Sequence, residues 1–208
     1  MRLRTEERRA AILRVAIELF REVGFARASM AAISARLGGS KGTLYGYFNS
    51  KEELFIASMM AVMEDQAQEA VKHLDAELQD HVAVLHRFGR AYLALHLSSD
   101  ALPLMRAAIA EGGNSKIGKN LYGKGCERAW RQVAAYLGRI HAQGLICATD
   151  TRIAAAHLKG LLEAGVVEPS LYGAEPWISA DEAVVHAVEA FLKAYSPALP
   201  AATACLSG

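Results

Sequence analysis

Residues 29–54, SMAAISARLGGSKGTLYGYFNSKEEL, contain two short segments with helical periodicity that are joined by a glycine turn. One helix face of the first segment carries Met30, Ile33 and Leu37. Ser29 precedes this face and is placed to cap the N-terminus of the helix. The glycine pair at 38–39 interrupts the pattern, because glycine adopts the positive φ of a turn at little steric cost. This arrangement predicts a helix-turn-helix.

The second segment predicts a short helix over about residues 41–47, with Ser40 as its N-cap. We expect Leu44 and Phe48 to face inward. The opposite face carries Lys41, Gly42, Thr43, Tyr45 and Tyr47. These residues offer a cation, hydroxyl groups and bare backbone, which suit a polyanion such as DNA.

Charge is distributed unevenly along the chain. Residues 1–51 hold 10 Lys and Arg against 4 Asp and Glu, a net charge of +6, whereas residues 52–208 hold 13 against 18, a net charge of −5. Clustered cations are what phosphate contacts require, so the basic end favours an anionic partner. A solvated surface would also explain the charges, but the turn and the periodicity coincide with them.

The 208 residues and 22.4 kDa allow two domains. We assign residues 1–50 to a helix-turn-helix domain and residues 51–196 to a second, helical domain. Pro197 and Pro200 end the last helix, so we expect the tail 197–208 to be mobile. No stretch has the alternating pattern of a strand, and the predicted fold is therefore all-α.

Seven further helices are indicated by apolar stripes and caps, and they include a short helix from Pro103 to about Ala110 and a helix through Trp130 that ends near residue 143. The first predicted helix runs from Thr5 to Val23 and ends at Gly24. Ser50 and Glu53 form a capping-box pattern at the start of a helix that reaches about residue 79, and a central helix then extends to His96. Two helices close the chain, over about residues 150–167 and 180–195, the second behind a capping box at Ser179.

Residue types that bind metals or catalyse reactions form no pattern here. The seven histidines give no pair of metal ligands at i, i+4 with a third partner, and no Ser/His/Asp arrangement has a recognisable context. We therefore expect no metal, no cofactor and no catalytic residue. Three cysteines at wide spacing argue against a disulfide framework. Cys126 is either a redox-sensing thiol or a packed structural cysteine.

Hydropathy gives no sign of a membrane segment. No window approaches 18 uncharged apolar residues, and the N-terminus lacks an apolar signal core. We therefore expect no membrane partner and a cytoplasmic location.

Residues 43–54, TLYGYFNSKEEL, resemble the DNA-binding domain of the TetR family of bacterial transcriptional regulators. The resemblance covers about residues 8–56, and the remainder resembles AcrR-like members in size and helix count. It implies that residues 1–50 form a helix-turn-helix DNA-binding domain and that residues 51–196 form a helical effector-binding and dimerisation domain. It implies a homodimer whose two recognition helices enter successive major grooves of a near-palindromic operator. Repression is the usual role in this family.

The resemblance also implies which residues meet DNA. Lys41, Gly42, Thr43, Tyr45 and Tyr47 would approach the duplex, and Ser29, Ser40 and Lys51 would lie at phosphates. Tyr45 and Phe48 are alternatively packing residues, and Tyr47 fits either role. The chain departs from the family at Gly39, where members usually carry a larger side chain, and at Gly46, where a larger residue often contacts DNA. Base readout is therefore expected to be sparse and binding to be sensitive to salt.

Family dimers form a four-helix bundle from the last two helices of each subunit. We place the interface at His157, Leu161, Ala164, Val184, Val188 and Phe191. Small residues such as Gly160 fit a close helix pair between subunits, although an intramolecular hairpin would use them equally well.

By the same resemblance, a small-molecule effector would enter the C-terminal domain and release the operator. The candidate wall residues are Phe88, Tyr92, His96, Met105, Leu121, Trp130, Tyr136 and Leu162. Each of them is alternatively a core residue, and their apolar character indicates a hydrophobic or aromatic effector. A methionine-rich face at Met59, Met60 and Met63 is either core filler or part of a pocket. The alternative function is a DNA-binding dimer without an effector, regulated by abundance or by a protein partner.

Overall fold

The computed structural model describes residues 2–74, 80–112, 119–120 and 127–197. Every regular element within these ranges is an α-helix, which confirms the predicted fold class. In chain order the helices are α1 (Arg2–Arg27), α2 (Met30–Leu37), α3 (Lys41–Tyr45), α4 (Lys51–Lys72), α5 (His81–His96), α6 (Ala101–Gly112), α7 (Glu127–Ala142), α8 (Thr151–Glu163), α9 (Val167–Tyr172) and α10 (Ala180–Ala194).

Local signals set the boundaries of the first three helices. Gly24 has φ 75° and ψ 171°, so the predicted end of the first helix is a kink inside α1. The Ser29 hydroxyl accepts a hydrogen bond from the Ala32 amide at 3.1 Å and caps α2, which ends where Gly38 adopts φ 66°. The Ser40 hydroxyl caps α3 through the Thr43 amide at 3.2 Å. Both predicted caps and the glycine turn are confirmed.

The N-terminal hydrophobic core is formed by α1, α2 and α3 together with parts of two later helices. Leu54, Phe55 and Met59 of α4 and Leu104 of α6 are buried in this core. Arg36 of α2 donates two hydrogen bonds to the Glu22 carboxylate of α1, at 2.8 and 2.5 Å, and fixes these two helices to each other. The helix-turn-helix is therefore joined to the rest of the chain through α4 and α6.

A second core lies between α5, α7, α8 and α10. Gly89 lies at a close approach between three of these helices, since a Cβ atom built there would be 2.9 Å from Leu162 Cδ2 and from Val184 Cγ1. Phe191 is completely buried in the same core. The two cores meet along α4, so the domain boundary at residue 50 stays a prediction.

The structure corrects two of the predicted boundaries. Helix α4 ends at Lys72 rather than near residue 79, and residues 75–79 lie outside the described part of the chain. Helix α8 ends at Glu163 rather than near 167, because Ala164 has ψ 123° and Gly165 has φ 78°. The short helix α9 follows this break and was not predicted. The predicted mobile tail falls almost wholly on residues 198–208, outside the described ranges.

The two predicted capping boxes have different outcomes. At Ser179 both hydrogen bonds with Glu182 are present, which confirms that box. At Ser50 only half of the box forms, because the Glu53 carboxylate accepts from the Asn49 amide at 2.9 Å instead of from the Ser50 amide.

Candidate functional site

Helix α3 separates into a buried and an exposed face. Leu44 is fully buried and Phe48, just beyond the helix, is 1% exposed, so the predicted inward face is confirmed. Lys41, Gly42 and Thr43 are exposed, and Tyr45 is 49% exposed. The Tyr45 side chain is thus available to a ligand rather than used as core. Tyr47 is half-buried against the N-terminal core.

The hydroxyl groups of both serines that were predicted to contact phosphates already cap helices. The Ser40 hydroxyl lies 3.0 Å from the Thr43 hydroxyl and also caps α3. Ser29 has the same role for α2. The N-terminal backbone amides of both helices therefore lie in fixed positions on the exposed side of the domain. Contact between these residues and DNA stays a prediction.

Lys51 serves the fold as well as the predicted interface. Its ammonium group donates to the carbonyl oxygens of Phe25 at 2.9 Å and Ala28 at 3.1 Å, and lies 4.2 Å from the centre of the Phe25 ring. These bonds close the turn between α1 and α2 from the first turn of α4. The sequence alone assigned Lys51 only to a phosphate, since the partners are distant in the chain.

We expect Lys51→Met to lower the free energy of unfolding by about 1 kcal/mol, because each carbonyl loses a charged donor. Lys41→Met removes the same charge from a residue that has no hydrogen-bond or ion-pair partner among the described residues, so its thermal midpoint should match the wild type. Thermal melting of the two variants provides the comparison. Equal midpoints for both would show that the Lys51 bonds contribute nothing.

Arg8 of α1 lies against the glycine turn. A Cβ atom built on Gly39 would be 2.9 Å from Arg8 Nη2, whereas the backbone of Gly39 does not have positive φ. Family members usually carry a larger side chain at the position of Gly39. The absence of a side chain here therefore leaves room for the Arg8 guanidinium group. Within the described residues Arg8 has no hydrogen-bond or ion-pair partner. Sequence analysis missed Arg8, because its approach to the turn arises only from tertiary packing.

A cavity of about 280 Å³ lies between α4, α5, α6, α7 and α8. Five predicted wall residues line it: Phe88, Tyr92, His96, Met105 and Trp130. The predicted positions Tyr136 and Leu162 do not, because both are completely buried in the second core. Leu121 lies outside the described residues. Sequence analysis missed several further lining residues: Gln68, Leu95, Ile109, Arg128, Lys159 and Glu163.

The methionines of α4 belong to the cavity as well. Met59, Met60 and Met63 all line it, although the sequence favoured core filler for this face. Met59 is also buried in the N-terminal core and so has both roles. Helical spacing alone does not separate a cavity wall from a core, since both need apolar side chains on one face.

One end of the cavity holds a polar network. The Tyr92 hydroxyl donates to Glu163 Oε1 at 2.5 Å, and the Lys159 ammonium group donates to Glu163 Oε2 at 2.6 Å. The imidazole Nδ1 of His96 lies 2.9 Å from the Tyr92 carbonyl oxygen, which can only accept, so Nδ1 carries the proton. Burial lowers the pKa of His96, opposed by its bond to that carbonyl and by Glu163. The ring is therefore neutral at physiological pH.

The lowered pKa of His96 predicts a loss of stability in mild acid. As pH falls below about 6.5, the unfolded histidine binds a proton that the folded one does not, so the free energy of unfolding decreases until the folded pKa is reached. Thermal melting between about pH 7.5 and 5.5 should show a steeper fall for wild type than for His96→Gln. Parallel curves for the two proteins would contradict this prediction. Burial also lowers the pKa of His86, but His86 is present in both proteins, so its contribution cancels when the two slopes are compared.

Half of the predicted dimer interface is wrong. Val184, Val188 and Phe191 are completely buried within the subunit, because this face of α10 packs on α5 and α8. The apolar stripe on α10 is thus a core face rather than a subunit surface. His157 and Ala164 are exposed and Leu161 is half-buried, so these three stay predictions.

Helix α8 has an exposed face of mostly small residues. Ala156, His157, Gly160 and Ala164 share this face with Ile153, which is 53% exposed. A Cβ atom on Gly160 would have no heavy atom within 4 Å. This surface is defined here as the α8 face, and it can accommodate a closely approaching helix.

No three His, Cys, Asp or Glu side chains within the described ranges are grouped as ligands for a metal ion. None of the helices in those ranges combines the length and the apolar character needed to cross a membrane.

Two family models match the chain. Residues 12–58 match the bacterial regulatory proteins of the tetR family, and residues 83–197 match the C-terminal domain of AefR-like transcriptional repressors. The two matches cover the helix-turn-helix and the second core, respectively. The C-terminal match alone spans more than half of the chain.

Individual proteins agree with the family models. The HTH-type transcriptional regulator UidR of Escherichia coli (strain K12) is 31% identical over an alignment of 112 positions, which covers 49% of this chain and 56% of UidR. A crystal structure of a TetR-family regulator from Mesorhizobium loti covers 93% of this chain and 98% of its own, with a TM-score of 0.83 and 27% identity. The flavonoid-responsive regulator FrrA covers 93% and 100%, with a TM-score of 0.78 and 26% identity. This chain belongs to the TetR family of bacterial transcriptional regulators.

Proposed function

We propose that the protein is a homodimeric repressor that binds a near-palindromic operator and is released by a small hydrophobic or aromatic effector. The observation that carries this proposal is the position of the cavity. Its walls include α4 and α6, and the same two helices contribute Leu54, Phe55 and Leu104 to the N-terminal core. A molecule in the cavity therefore contacts the elements that position α3.

The DNA-binding surface consists of the exposed face of α3 and the cations around it. Lys41, Thr43 and Tyr45 enter the major groove, and the capped starts of α2 and α3 approach phosphates. Arg8 adds a guanidinium group beside the turn. Gly39→Ala should displace that group without unfolding the domain, because the long Arg8 side chain can move. Affinity falls with salt, since the cations Lys41 and Arg8 displace counterions from the duplex.

Adjacent residues link the cavity to the helix-turn-helix. Leu104 is completely buried in the N-terminal core, and its neighbour Met105 lines the cavity. Arg106 donates to the carbonyl oxygens of Ser170 at 2.5 Å and Leu171 at 2.8 Å, which ties α6 to α9. A ligand shifts α6 only if it binds the DNA-free arrangement more tightly than the DNA-bound one.

The dimer forms through the α8 face and the exposed side of α10. A four-helix arrangement buries Ile153 and brings the partner helix close to Gly160. Such a dimer spaces the two α3 helices for half-sites about one helical turn, 34–36 Å, or a multiple of it apart.

The aromatic effector is supported by the rings that line the cavity and by FrrA, which responds to flavonoids and has the same fold. The test is a mobility-shift assay on selected operator DNA with one- and two-ring aromatic compounds. We expect an active compound to release the wild-type protein from the operator. It should not release Ala108→Phe, because the phenylalanine side chain fills the cavity. Ala110→Phe is exposed on the same helix and serves as the control. Release of Ala108→Phe as well as of the control would show that the compound acts outside this cavity. Failure of every compound to release the wild type would favour the effector-free alternative.

A further inference from the structure

The dimensions of the cavity limit what it can hold. Ligand pockets in proteins measure about 300–1,000 Å³, so a cavity of about 280 Å³ is at the small end of this range. Its walls are methionine side chains of α4, rings of α5 and the Trp130 ring of α7. A molecule of one or two rings fits this space better than a long chain or a polycyclic compound.

The charged groups beside the cavity neutralise each other. Both oxygens of Glu163 accept hydrogen bonds, one from Tyr92 and one from Lys159. A carboxylate ligand would meet the Glu163 charge, and a cationic ligand would meet the Lys159 charge. Arg128, at the exposed start of α7, also has interactions within the protein. The cavity therefore favours an uncharged molecule.

The aromatic rings pack on one another. Trp130 meets Phe88 and Tyr92 edge to face, with ring centres 5.9 and 5.2 Å apart. Sites for quaternary ammonium groups need several ring faces arranged around one cation, whereas these three rings pack on one another. A planar ring can extend the same edge-to-face packing, so the cluster favours an aromatic ligand.

His96 supplies one directed polar contact. Its Nδ1–H group is bound to the Tyr92 carbonyl oxygen, which leaves Nε2 of the neutral ring as an acceptor. His96 lines the cavity and is only 8% exposed, so a ligand donor would reach Nε2 away from bulk water. We propose that the effector is an uncharged aromatic compound with a hydroxyl group that donates a hydrogen bond to His96 Nε2.

This inference rests on the proposed function of the cavity, and calorimetry on the full-length protein without DNA tests it separately. The probes are 2-naphthol, its methyl ether 2-methoxynaphthalene and 2-naphthoate. A hydrogen bond contributes about 0.5–1.5 kcal/mol, so we expect 2-naphthol to bind up to about tenfold more tightly than the ether, which lacks the donor. We expect 2-naphthoate to bind more weakly than either.

The variant His96→Phe keeps a flat ring and removes the acceptor. The substitution should lower the affinity for 2-naphthol by the same factor and leave the affinity for the ether unchanged. Thermal melting checks that the variant is folded. Equal affinities of wild type for 2-naphthol and the ether would overturn the hydroxyl requirement, and tighter binding of 2-naphthoate than of 2-naphthol would overturn the requirement for an uncharged molecule. Absence of binding by all three probes would overturn both this inference and the role of the cavity.

Discussion

Gly89→Val is expected to destabilise the second core more than any other single substitution described here. Two side chains occupy the space that the valine would need, since even a Cβ atom would lie 2.9 Å from both Leu162 and Val184. These neighbours come from α8 and α10 and are completely buried, so neither can turn toward solvent. Overpacking of a core costs about 1–3 kcal/mol and occasionally more, and valine adds three carbon atoms where one already clashes. We expect a loss on the order of 3 kcal/mol or more, measured by urea unfolding.

Gly138→Ala is the matched control. Gly138 is also inside a helix, but the nearest atom to its built Cβ is Thr151 Cγ2 at 3.9 Å, an ordinary contact. Alanine favours a helix over glycine by about 1 kcal/mol, so this variant should equal or exceed the wild type in stability. A Gly89→Val protein as stable as wild type would show that α5 does not pack on α8 and α10 as closely as described.

The second large effect is expected on the α8 face. Gly160→Arg would place a charged side chain where we propose that the partner helix packs, and the dimer should dissociate. Because Gly160 has open space within its own subunit, the folded subunit should persist. Loss of the second binding module reduces avidity by about 10²–10⁴, so operator affinity should fall by a similar factor. Analytical ultracentrifugation and anisotropy measure the two effects.

Ala94→Arg adds the same charge to an exposed position on α5 and controls for charge alone. It should remain a dimer with nearly unchanged operator affinity. If Gly160→Arg also sedimented as a dimer, the α8 face would not be the subunit interface.

The helix-turn-helix could be predicted from sequence because its signals are local. Ser29 and Ser40 cap the helices that follow them, and Gly38 ends the first through positive φ. Each of these features depends on residues within a few positions in the chain. Leu44 could also be assigned to the buried face from its spacing alone.

The remaining sites depend on contacts between distant residues. Val184 and Phe191 belong to an apolar stripe that fits a core and a dimer interface equally well, and only packing on α5 and α8 decides between them. The bonds of Lys51 to the α1–α2 turn span 23 or more residues. Glu163 lines the cavity because α8 packs on α5 and α7, and no local pattern in the sequence indicates this arrangement.

Selection of DNA from a random pool by the purified full-length protein tests the central claim most directly. We predict enrichment of a near-palindromic duplex bound by one dimer, with a salt dependence that Lys41→Ala makes shallower by about one unit. A pool without enrichment at modest salt, or a selected sequence bound by a single subunit, would contradict the proposal that α3 of a dimer reads an operator.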